Sequence, residues 1–222
     1  MEAHIVKILD IMPVTPDVRR YRVEKPLGYS FIPGQATEVT INKPEWHNQD
    51  RSFTFTALNE WDFLEFTIKS YFDHEGVTNA LFKLVPGDEL IIHDVWGAIH
   101  YKGQGLFIAG GAGVTPFIAI IRDLYKKGEL EGNRLLFANK KSQDIILKEE
   151  FESMLGENFI NVLSEEKIDG YHHGFVDEEL LKQFIKPESD NIYLCGPPPM
   201  MDAVLPILDK FGIGDKKLII EL

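Results

Sequence analysis

The junction at residues 106–117 constrains the fold of this chain more than any other feature. An apolar run, LFIA, leads directly into GGAGVTPF, and residues 117–124 then have helical character. Glycines have no Cβ, so the backbone can turn sharply and approach a ligand closely. A helix that follows such a turn aims unpaired N–H groups at an anion. The junction predicts a strand–turn–helix unit with a dinucleotide site as the leading hypothesis, and a tight turn without a ligand is the alternative.

The rest of the chain divides into two halves with different periodicities. Short alternating runs rich in Val, Ile, Phe and Thr predict antiparallel strands at 4–12, 18–24, 36–41, 52–57, 63–70 and 89–93, with a helix at 77–84. Further along, apolar strands are predicted at 105–109, 134–138, 160–163 and 191–195, alternating with helices at 116–127, 147–155, 177–184 and 201–211. This alternation indicates a parallel sheet with helices on both faces. We therefore expect an antiparallel β-barrel domain over 1–102 and an α/β parallel-sheet domain over 103–222, linked at 102–105.

Composition excludes several classes of protein. The chain has 222 residues, 44% of them hydrophobic, which is enough for sizeable cores. It has no run of 18 apolar residues and no leader-like start, so we expect no membrane span and a cytoplasmic location. A net charge of −12 argues against a nucleic-acid partner. The single cysteine, Cys195, excludes an internal disulfide or iron–sulfur cluster, and the spacing of the histidines predicts no metal site.

A short motif at 51–54 carries three kinds of side chain that suit a phosphorylated, planar ligand. In a strand, Arg51 and Phe53 would face one side, with Ser52 and Thr54 on the other. A guanidinium can bond a phosphate through two N–H groups, an aromatic ring can cover a planar heterocycle, and a hydroxyl can bond a ring nitrogen. An ordinary strand with a surface arginine is the alternative.

Two further loops begin helices or follow strands. Gly76, Val77 and Thr78 lie at the predicted start of a helix, where they form either an anion site or a simple cap. The sequence CGPPPM at 195–200 follows an apolar strand, at the end where α/β sheets bind ligands. We expect its prolines to fix a rigid loop before the last helix and Cys195 to lie near a flat ring, although buried cysteines are often only packing residues.

In this order, the motifs resemble those of the ferredoxin–NADP reductase superfamily of flavin reductases, over essentially the whole chain. The turn FIPGQ at 31–35 is similar to the family's entry to the flavin barrel. The resemblance assigns the flavin to Arg51, Ser52, Phe53, Thr54, Gly76, Val77 and Thr78. It assigns the pyridine nucleotide to Gly110, Gly111, Gly113, Thr115, Pro116, Cys195, Gly196 and Pro197.

Three other stretches, IKSYF at 68–72, FANK at 137–140 and DIIL at 144–147, are similar to the NADH-dependent cytochrome reductases and flavodoxin (ferredoxin) reductases of this superfamily. They add Lys69, Tyr71, Asn139 and Lys140 to the cofactor-binding residues. The similarity favours NADH, whereas Lys140 and its neighbour Lys141 could pair with a 2′-phosphate and favour NADPH. The family's acidic specificity residue has no direct counterpart, because Gly170 occupies its position.

The resemblance implies a flavin-dependent oxidoreductase that takes hydride from NAD(P)H onto FAD, with FMN less favoured. Thr54 and Cys195 are the implied catalytic residues, beside the redox-active flavin nitrogen and the nicotinamide. Electrons would pass to a separate carrier, such as flavodoxin, ferredoxin or a small cytochrome, docked on a basic face around Arg19, Arg20 and Arg22. The alternatives are a reductase of free flavin and a non-catalytic flavin- or nucleotide-binding subunit.

Three departures from the family pattern bear on the flavin. Phe53 replaces the family's tyrosine and therefore lacks a phenol hydroxyl. The loop at Gly76 is short and has one glycine, which suggests a different hold on the phosphate end. The sequence closes on IIEL without an aromatic residue, so we expect the flavin ring to be less covered.

Overall fold

A computed structural model describes residues 3–73, 75–97, 99–186, 190–214 and 217–220. The chain forms two six-stranded sheets, the first antiparallel and barrel-like and the second parallel with helices on both faces. The predicted fold class is confirmed. Among the described residues, no helix combines the length and the apolar character needed to cross a bilayer.

The first sheet lies in the N-terminal half. Its strands are β1 (His4–Thr15), β2 (Val18–Glu24), β3 (Ala36–Ile41), β4 (Arg51–Thr54), β5 (Phe63–Lys69) and β6 (Glu89–Ile92), with helix α1 (Val77–Phe82) between β5 and β6. They are ordered β4-β3-β6-β1-β2-β5, and a bridge between Phe55 and Phe66 brings the two ends together. Alternate residues such as Val39 and Ile41 fill the interior, as the period-2 pattern predicts.

The second sheet contains β7 (Gly105–Gly110), β8 (Arg134–Asn139), β9 (Phe159–Leu163), β10 (His172–His173), β11 (Asn191–Cys195) and β12 (Leu218–Ile220). Its order is β10-β9-β8-β7-β11-β12, and every pairing is parallel. Helices α2 (Thr115–Lys127) and α3 (Lys148–Leu155) pack on one face, and α4 (Glu178–Phe184) and α5 (Pro198–Lys210) pack on the other. Both faces are therefore buried, which explains why these strands are continuously apolar.

The structure corrects several element boundaries. Helix α5 begins at Pro198, so Pro198 and Pro199 belong to its first turn and do not form the predicted rigid loop before it. Proline is tolerated there because a first-turn N–H has no partner within the helix. Strand β4 ends at Thr54 instead of residue 57, and α1 ends at Phe82 instead of residue 84. Strands β10 and β12 are not among the predicted strands. They have two and three residues, which is too short for a hydrophobic pattern to show.

The turn at 31–35 joins the barrel to α2. Gly34 has φ +100°, and a Cβ there would lie 2.5 Å from the Ile99 carbonyl oxygen and 3.1 Å from Ile120 of α2. The Gln35 side chain accepts a hydrogen bond from the Ile32 N–H at 2.7 Å and closes the turn. The glycine of this motif is thus required by close packing between the two halves of the chain.

Candidate functional site: the crevice at the ends of β7 and β11

The order of the parallel strands creates a crevice between two loops. From β7 the chain moves to β8 on one side, and it later returns to β11 on the other. At such a switch point the two loops diverge beyond the carboxyl ends of the strands and leave a ligand-binding gap. Strand β7 ends at Gly110 and β11 ends at Cys195, whose register partner is Ala109. The two strongest loop motifs of the sequence therefore meet at one site.

Three of the predicted glycines let these loops touch each other. A Cβ on Gly113 would lie 2.3 Å from the Cys195 carbonyl oxygen. A Cβ on Gly110 would lie 2.4 Å from the Met200 sulfur, and one on Gly196 would lie 2.8 Å from the same atom. Gly113 meets backbone and Gly110 meets both Met200 and Pro197, so close contact within the protein favours glycine there, whereas at Gly196 the flexible Met200 side chain could move aside.

Gly111 is different, because its surroundings are open. It has φ +52°, and no heavy atom lies within 4 Å of the place where its Cβ would be. Residues Gly111–Val114 form a single 3-10 turn, after which α2 begins at Thr115 with Pro116 in its first turn. The Thr115 hydroxyl donates to the Ala112 carbonyl at 2.9 Å. The Thr115 backbone N–H donates to the same carbonyl and Pro116 has no N–H, so the N–H groups that can serve an anion are those at the start of the 3-10 turn, where no side chain of the described residues acts as a cap.

The carboxyl ends of β8 and β9 carry two carboxylates. The Lys140 ammonium lies 3.4 Å from the Glu165 carboxylate. The Ser142 backbone N–H donates to the Glu166 carboxylate at 2.7 Å, and this bond is the main reason that the pKa of Glu166 is lowered. The Asn139 side-chain nitrogen is buried at the same edge, without a hydrogen-bond partner among the described residues. This edge therefore holds a paired lysine, two acids and an unused amide donor.

On the barrel, β4 presents the four residues of the predicted flavin motif with different exposures. Arg51 is exposed and donates to the Asp50 carbonyl at 2.7 Å, and Ser52 is also exposed. Phe53 is half-buried and packs against the barrel core, whereas Thr54 is buried. The Arg51 guanidinium is therefore accessible to a ligand, and part of the Phe53 ring is already used in packing.

An exposed aromatic residue lies in the same row as Thr54. Ala36 pairs with Thr54 on one side and with Trp96 on the other, and directly paired residues point to the same face of a sheet. The Trp96 side chain is 43% exposed. Trp96 is not among the predicted site residues, because a single aromatic residue beyond the end of a strand belongs to no repeating sequence pattern.

The predicted motif at 76–78 lies at the start of a short helix. Gly76 precedes α1, Val77 is buried, and the Thr78 carbonyl accepts a hydrogen bond from the Ser70 hydroxyl at 2.9 Å. Helix α1 has only six residues, so its dipole contributes little. His74, which precedes the motif, lies outside the described residues.

Next to Gly76 is a cavity of about 360 Å³. Its lining includes Ile41, Lys43, Trp46, Gly76, Asn79 and Lys83. The Lys43 ammonium lies 3.2 Å from the Asp88 carboxylate, at an exposed position. The lining also includes Glu45 and Glu75, so its two ammonium groups are balanced by two carboxylates, and the Trp46 indole is the group that could stack on an aromatic ligand.

Two further predicted residues lie at the end of β5. The Lys69 ammonium is 2.6 Å from the Asp17 carboxylate, so its charge is paired within the barrel. Tyr71 is 46% exposed just beyond the strand. Neither the Lys69 ion pair nor the position of Tyr71 after β5 places these residues in the crevice between β7 and β11.

The expected basic docking face is wrong. Arg20 and Arg22 lie with their Nε atoms 3.5 and 3.2 Å from the Glu65 carboxylate, which is fully buried. Arg19 stacks over the Phe82 ring at 3.7 Å and donates to the Phe82 carbonyl. Alternation along β2 puts Arg20 and Arg22 on the face of Glu65 and Arg19 on the opposite face, so the three do not form a continuous cationic surface.

Comparisons with known proteins agree with this architecture. Residues 107–205 match the family model for the oxidoreductase NAD-binding domain. The chain is 29% identical to the reductase component of propane 2-monooxygenase from Rhodococcus jostii (strain RHA1), over 93% of this chain and 60% of that protein. It is 27% identical to NADH-cytochrome b5 reductase 1 from Rattus norvegicus, over 97% of this chain and 84% of that protein.

The fold matches a solved structure over the whole chain. A ferredoxin NADP+ reductase from Neisseria gonorrhoeae, with bound FAD and NADP, aligns with a TM-score of 0.85 and 20% identity, covering 100% of this chain and 98% of that one. Residues 107–205 therefore carry an oxidoreductase NAD-binding domain, the sequence is similar to that of an NADH-cytochrome b5 reductase, and the two-sheet fold is that of a ferredoxin NADP+ reductase.

Proposed function

We propose that this protein is a FAD-dependent NAD(P)H oxidoreductase that delivers electrons to a separate carrier. Residues 1–102 would hold the flavin and residues 103–222 the pyridine nucleotide. The observation that carries the proposal is the crevice between Gly110 and Cys195, in a chain whose barrel presents Arg51 and Thr54. When bound, FAD would accept a hydride from NAD(P)H and release electrons to the carrier.

The barrel offers groups for both ends of FAD. Arg51 would bond a phosphate, and Thr54 would donate a hydrogen bond to the flavin ring beside the packed Phe53. The register partner of Arg51 is Val39, two residues along β3 from Ile41 in the cavity lining, a separation of roughly 7 Å. The cavity could then receive the adenine ring beside the Trp46 indole, which supports FAD over FMN.

The crevice offers groups for the nucleotide. The open backbone at Gly111 and the start of the 3-10 turn would bind the pyrophosphate, because no heavy atom lies within 4 Å of the Gly111 Cβ position and no side chain of the described residues caps that turn. Cys195 is half-buried at the end of β11 and would contact the nicotinamide. Close contact between the two loops would exclude water from the reacting face.

The edge beyond β8 supports NADH as the preferred donor. A 2′-phosphate at this edge would meet the Glu165 and Glu166 carboxylates, and the Ser142 N–H already bonds Glu166. The carboxylates would also repel a phosphate. A ribose hydroxyl, in contrast, can donate to a carboxylate. We therefore propose that NADH is preferred over NADPH.

The acceptor is proposed to be a small redox protein. One relative is named as the reductase component of a monooxygenase and another as a reductase of cytochrome b5. By analogy, a flavodoxin, ferredoxin or small cytochrome would serve here.

Turnover after flavin loading tests the proposal. The protein is incubated with FAD, freed of unbound flavin by gel filtration, and assayed for NADH oxidation with ferricyanide. We expect a yellow protein that turns over without added flavin. A colourless protein that reduces only added flavin would support the free-flavin alternative. A yellow protein that oxidises neither NADH nor NADPH would support a binding subunit.

A further inference from the structure

We propose that Arg122 is a positioning residue that fixes the nucleotide-binding helix against the flavin-binding strand and thereby sets the rate of flavin reduction. This inference rests on the proposed function. It concerns a charged side chain of α2 that none of the sequence motifs includes.

Arg122 bonds partners in both halves of the chain. Its side chain is 7% exposed. Nη1 donates to the Thr56 carbonyl at 2.6 Å and to the Glu65 carboxylate at 2.7 Å, both in the barrel. Nε and Nη2 donate to the two Glu150 oxygens of α3 at 2.5 and 2.9 Å. The Arg122 guanidinium therefore links α2 to β5, to the Thr56 carbonyl of the barrel and to α3. Its planar fork sets the directions of these bonds.

The Glu65 carboxylate makes this link specific. It is fully buried and also accepts a hydrogen bond from the Thr56 hydroxyl at 3.1 Å. Arg20 and Arg22 also lie beside it, but both belong to the barrel, so Arg122 is the partner that ties this carboxylate to α2. Although burial alone would lower the pKa of Arg122, its bonds to Glu150 and the charge of Glu65 raise it. The arginine is therefore permanently charged.

The position of Arg122 along the chain connects the two proposed cofactor sites. It lies seven residues after Thr115, about two helical turns or roughly 10 Å from the nucleotide loop. Thr56 lies two residues after Thr54. Hydride transfer needs the reacting atoms at about 3–3.5 Å, and an error of about 1 Å can cost a hundredfold in rate. A side chain that locks α2 to residues 54–56 controls this separation.

Two other ion pairs provide comparisons. Lys126 and Glu60 also join α2 to the barrel, but their side chains are 56% and 45% exposed, so that pair is weak. Arg134 and Asp190 are 2.6 Å apart with side chains 11% and 2% exposed, and both belong to the second domain. Arg134 is thus a control for a buried, ion-paired arginine that does not join the two halves, although it makes fewer hydrogen bonds than Arg122.

The test compares Arg122→Lys with Arg134→Lys and the wild type. Lysine keeps the positive charge, but its single ammonium group cannot reproduce the four hydrogen bonds that the planar guanidinium makes. For each FAD-loaded protein we would measure flavin content, anaerobic bleaching by NADH and bleaching by dithionite, which needs no nucleotide site. In the flavin-free proteins we would measure amide hydrogen exchange in residues 52–58.

For Arg122→Lys we expect normal flavin content, NADH bleaching slowed about tenfold or more, and dithionite bleaching within about twofold of wild type. Exchange in residues 52–58 should rise. Arg134→Lys should change neither NADH bleaching nor that exchange. If Arg122→Lys does not fold, Glu150→Gln, with a side chain 32% exposed, removes one anchor and should slow NADH bleaching about threefold.

The proposal is overturned if a folded Arg122→Lys is bleached by NADH at the wild-type rate, or if dithionite bleaching slows equally. It is also overturned if Glu150→Gln, used in its place, changes neither bleaching nor exchange. The proposed function is tested separately by the wild type. If wild-type protein with bound flavin is bleached by neither NADH nor NADPH, the proposed function fails, whereas normal wild-type bleaching with an unaffected Arg122→Lys overturns only the role of Arg122.

Discussion

Gly113 and the carbonyl of Cys195 are in direct contact across the crevice, because a Cβ on Gly113 would lie 2.3 Å from that oxygen. The contact joins the loop after β7 to the loop after β11. It sets the width of the gap in which we place the nicotinamide. The position of the backbone at Cys195 therefore depends on the absence of a side chain at Gly113.

Gly113→Ala should open this gap. The added methyl group meets backbone, so the loops must separate at a cost of about 1–3 kcal/mol, with a Tm lowered by about 5 °C. NADH binding, measured by titration, should weaken about tenfold. Gly128→Ala is the control, because Gly128 ends α2 with φ +71° and nothing within 4 Å of its Cβ position. It should lose stability without losing NADH affinity. Unchanged NADH affinity in Gly113→Ala would show that the contact does not shape the site.

Cys195→Ala should slow flavin reduction while leaving flavin content intact. The sulfur is proposed to support the nicotinamide, and its loss should reduce the rate of bleaching by NADH about tenfold. Cys195→Ser, which keeps a similar volume, should show a smaller effect. A rate equal to wild type in the alanine variant would make Cys195 a packing residue.

Arg51→Ala should weaken flavin retention more than it slows the chemistry. A charge-assisted bond to phosphate is worth about 1.5–3 kcal/mol, so the Kd for FAD should rise roughly 10- to 100-fold. The flavin that remains bound should be bleached at a near-normal rate. Lys7→Ala removes an exposed cation from β1, three positions from β4 in the sheet order, and should retain flavin normally. Normal retention in Arg51→Ala would refute the phosphate assignment.

Glu166→Gln should relax the preference for NADH. The amide oxygen can still accept the Ser142 N–H, so the substitution removes charge and preserves the local bond. We expect kcat/KM for NADPH relative to NADH to rise about tenfold. Since the Ser142 bonds lower the Glu166 pKa, the preference of the wild type should persist into mildly acidic buffer and disappear only as pH falls through that lowered pKa. Glu157→Gln, at the amino end of β9, should leave the ratio unchanged. An unaltered ratio in Glu166→Gln would contradict this role.

Local patterns predicted the parts of the fold that depend on local chemistry. The β7–turn–α2 unit follows from an apolar run, glycines and a first-turn proline, and all of these are adjacent in sequence. Two sheets of different type follow from two hydrophobic periods. The pattern places the start of α5 three residues too late, because three successive prolines are typical of a loop, although a helix tolerates proline in its first turn.

Contacts between distant residues could not be predicted in this way. Arg122 and Glu65 are 57 residues apart, and only the fold brings them together. A signal was nevertheless present, since each is the one charge in a short apolar stretch, FIAIIR at 117–122 and FLEF at 63–66. The same buried carboxylate explains why Arg20 and Arg22 are not free for docking.

The most direct test of the central claim is anaerobic mixing of the FAD-loaded protein with NADH while the flavin absorption band is recorded. We predict rapid loss of the yellow band, complete at one NADH per bound flavin, and much slower loss with NADPH. A band that persists with both nucleotides, while dithionite still bleaches it, would contradict the account.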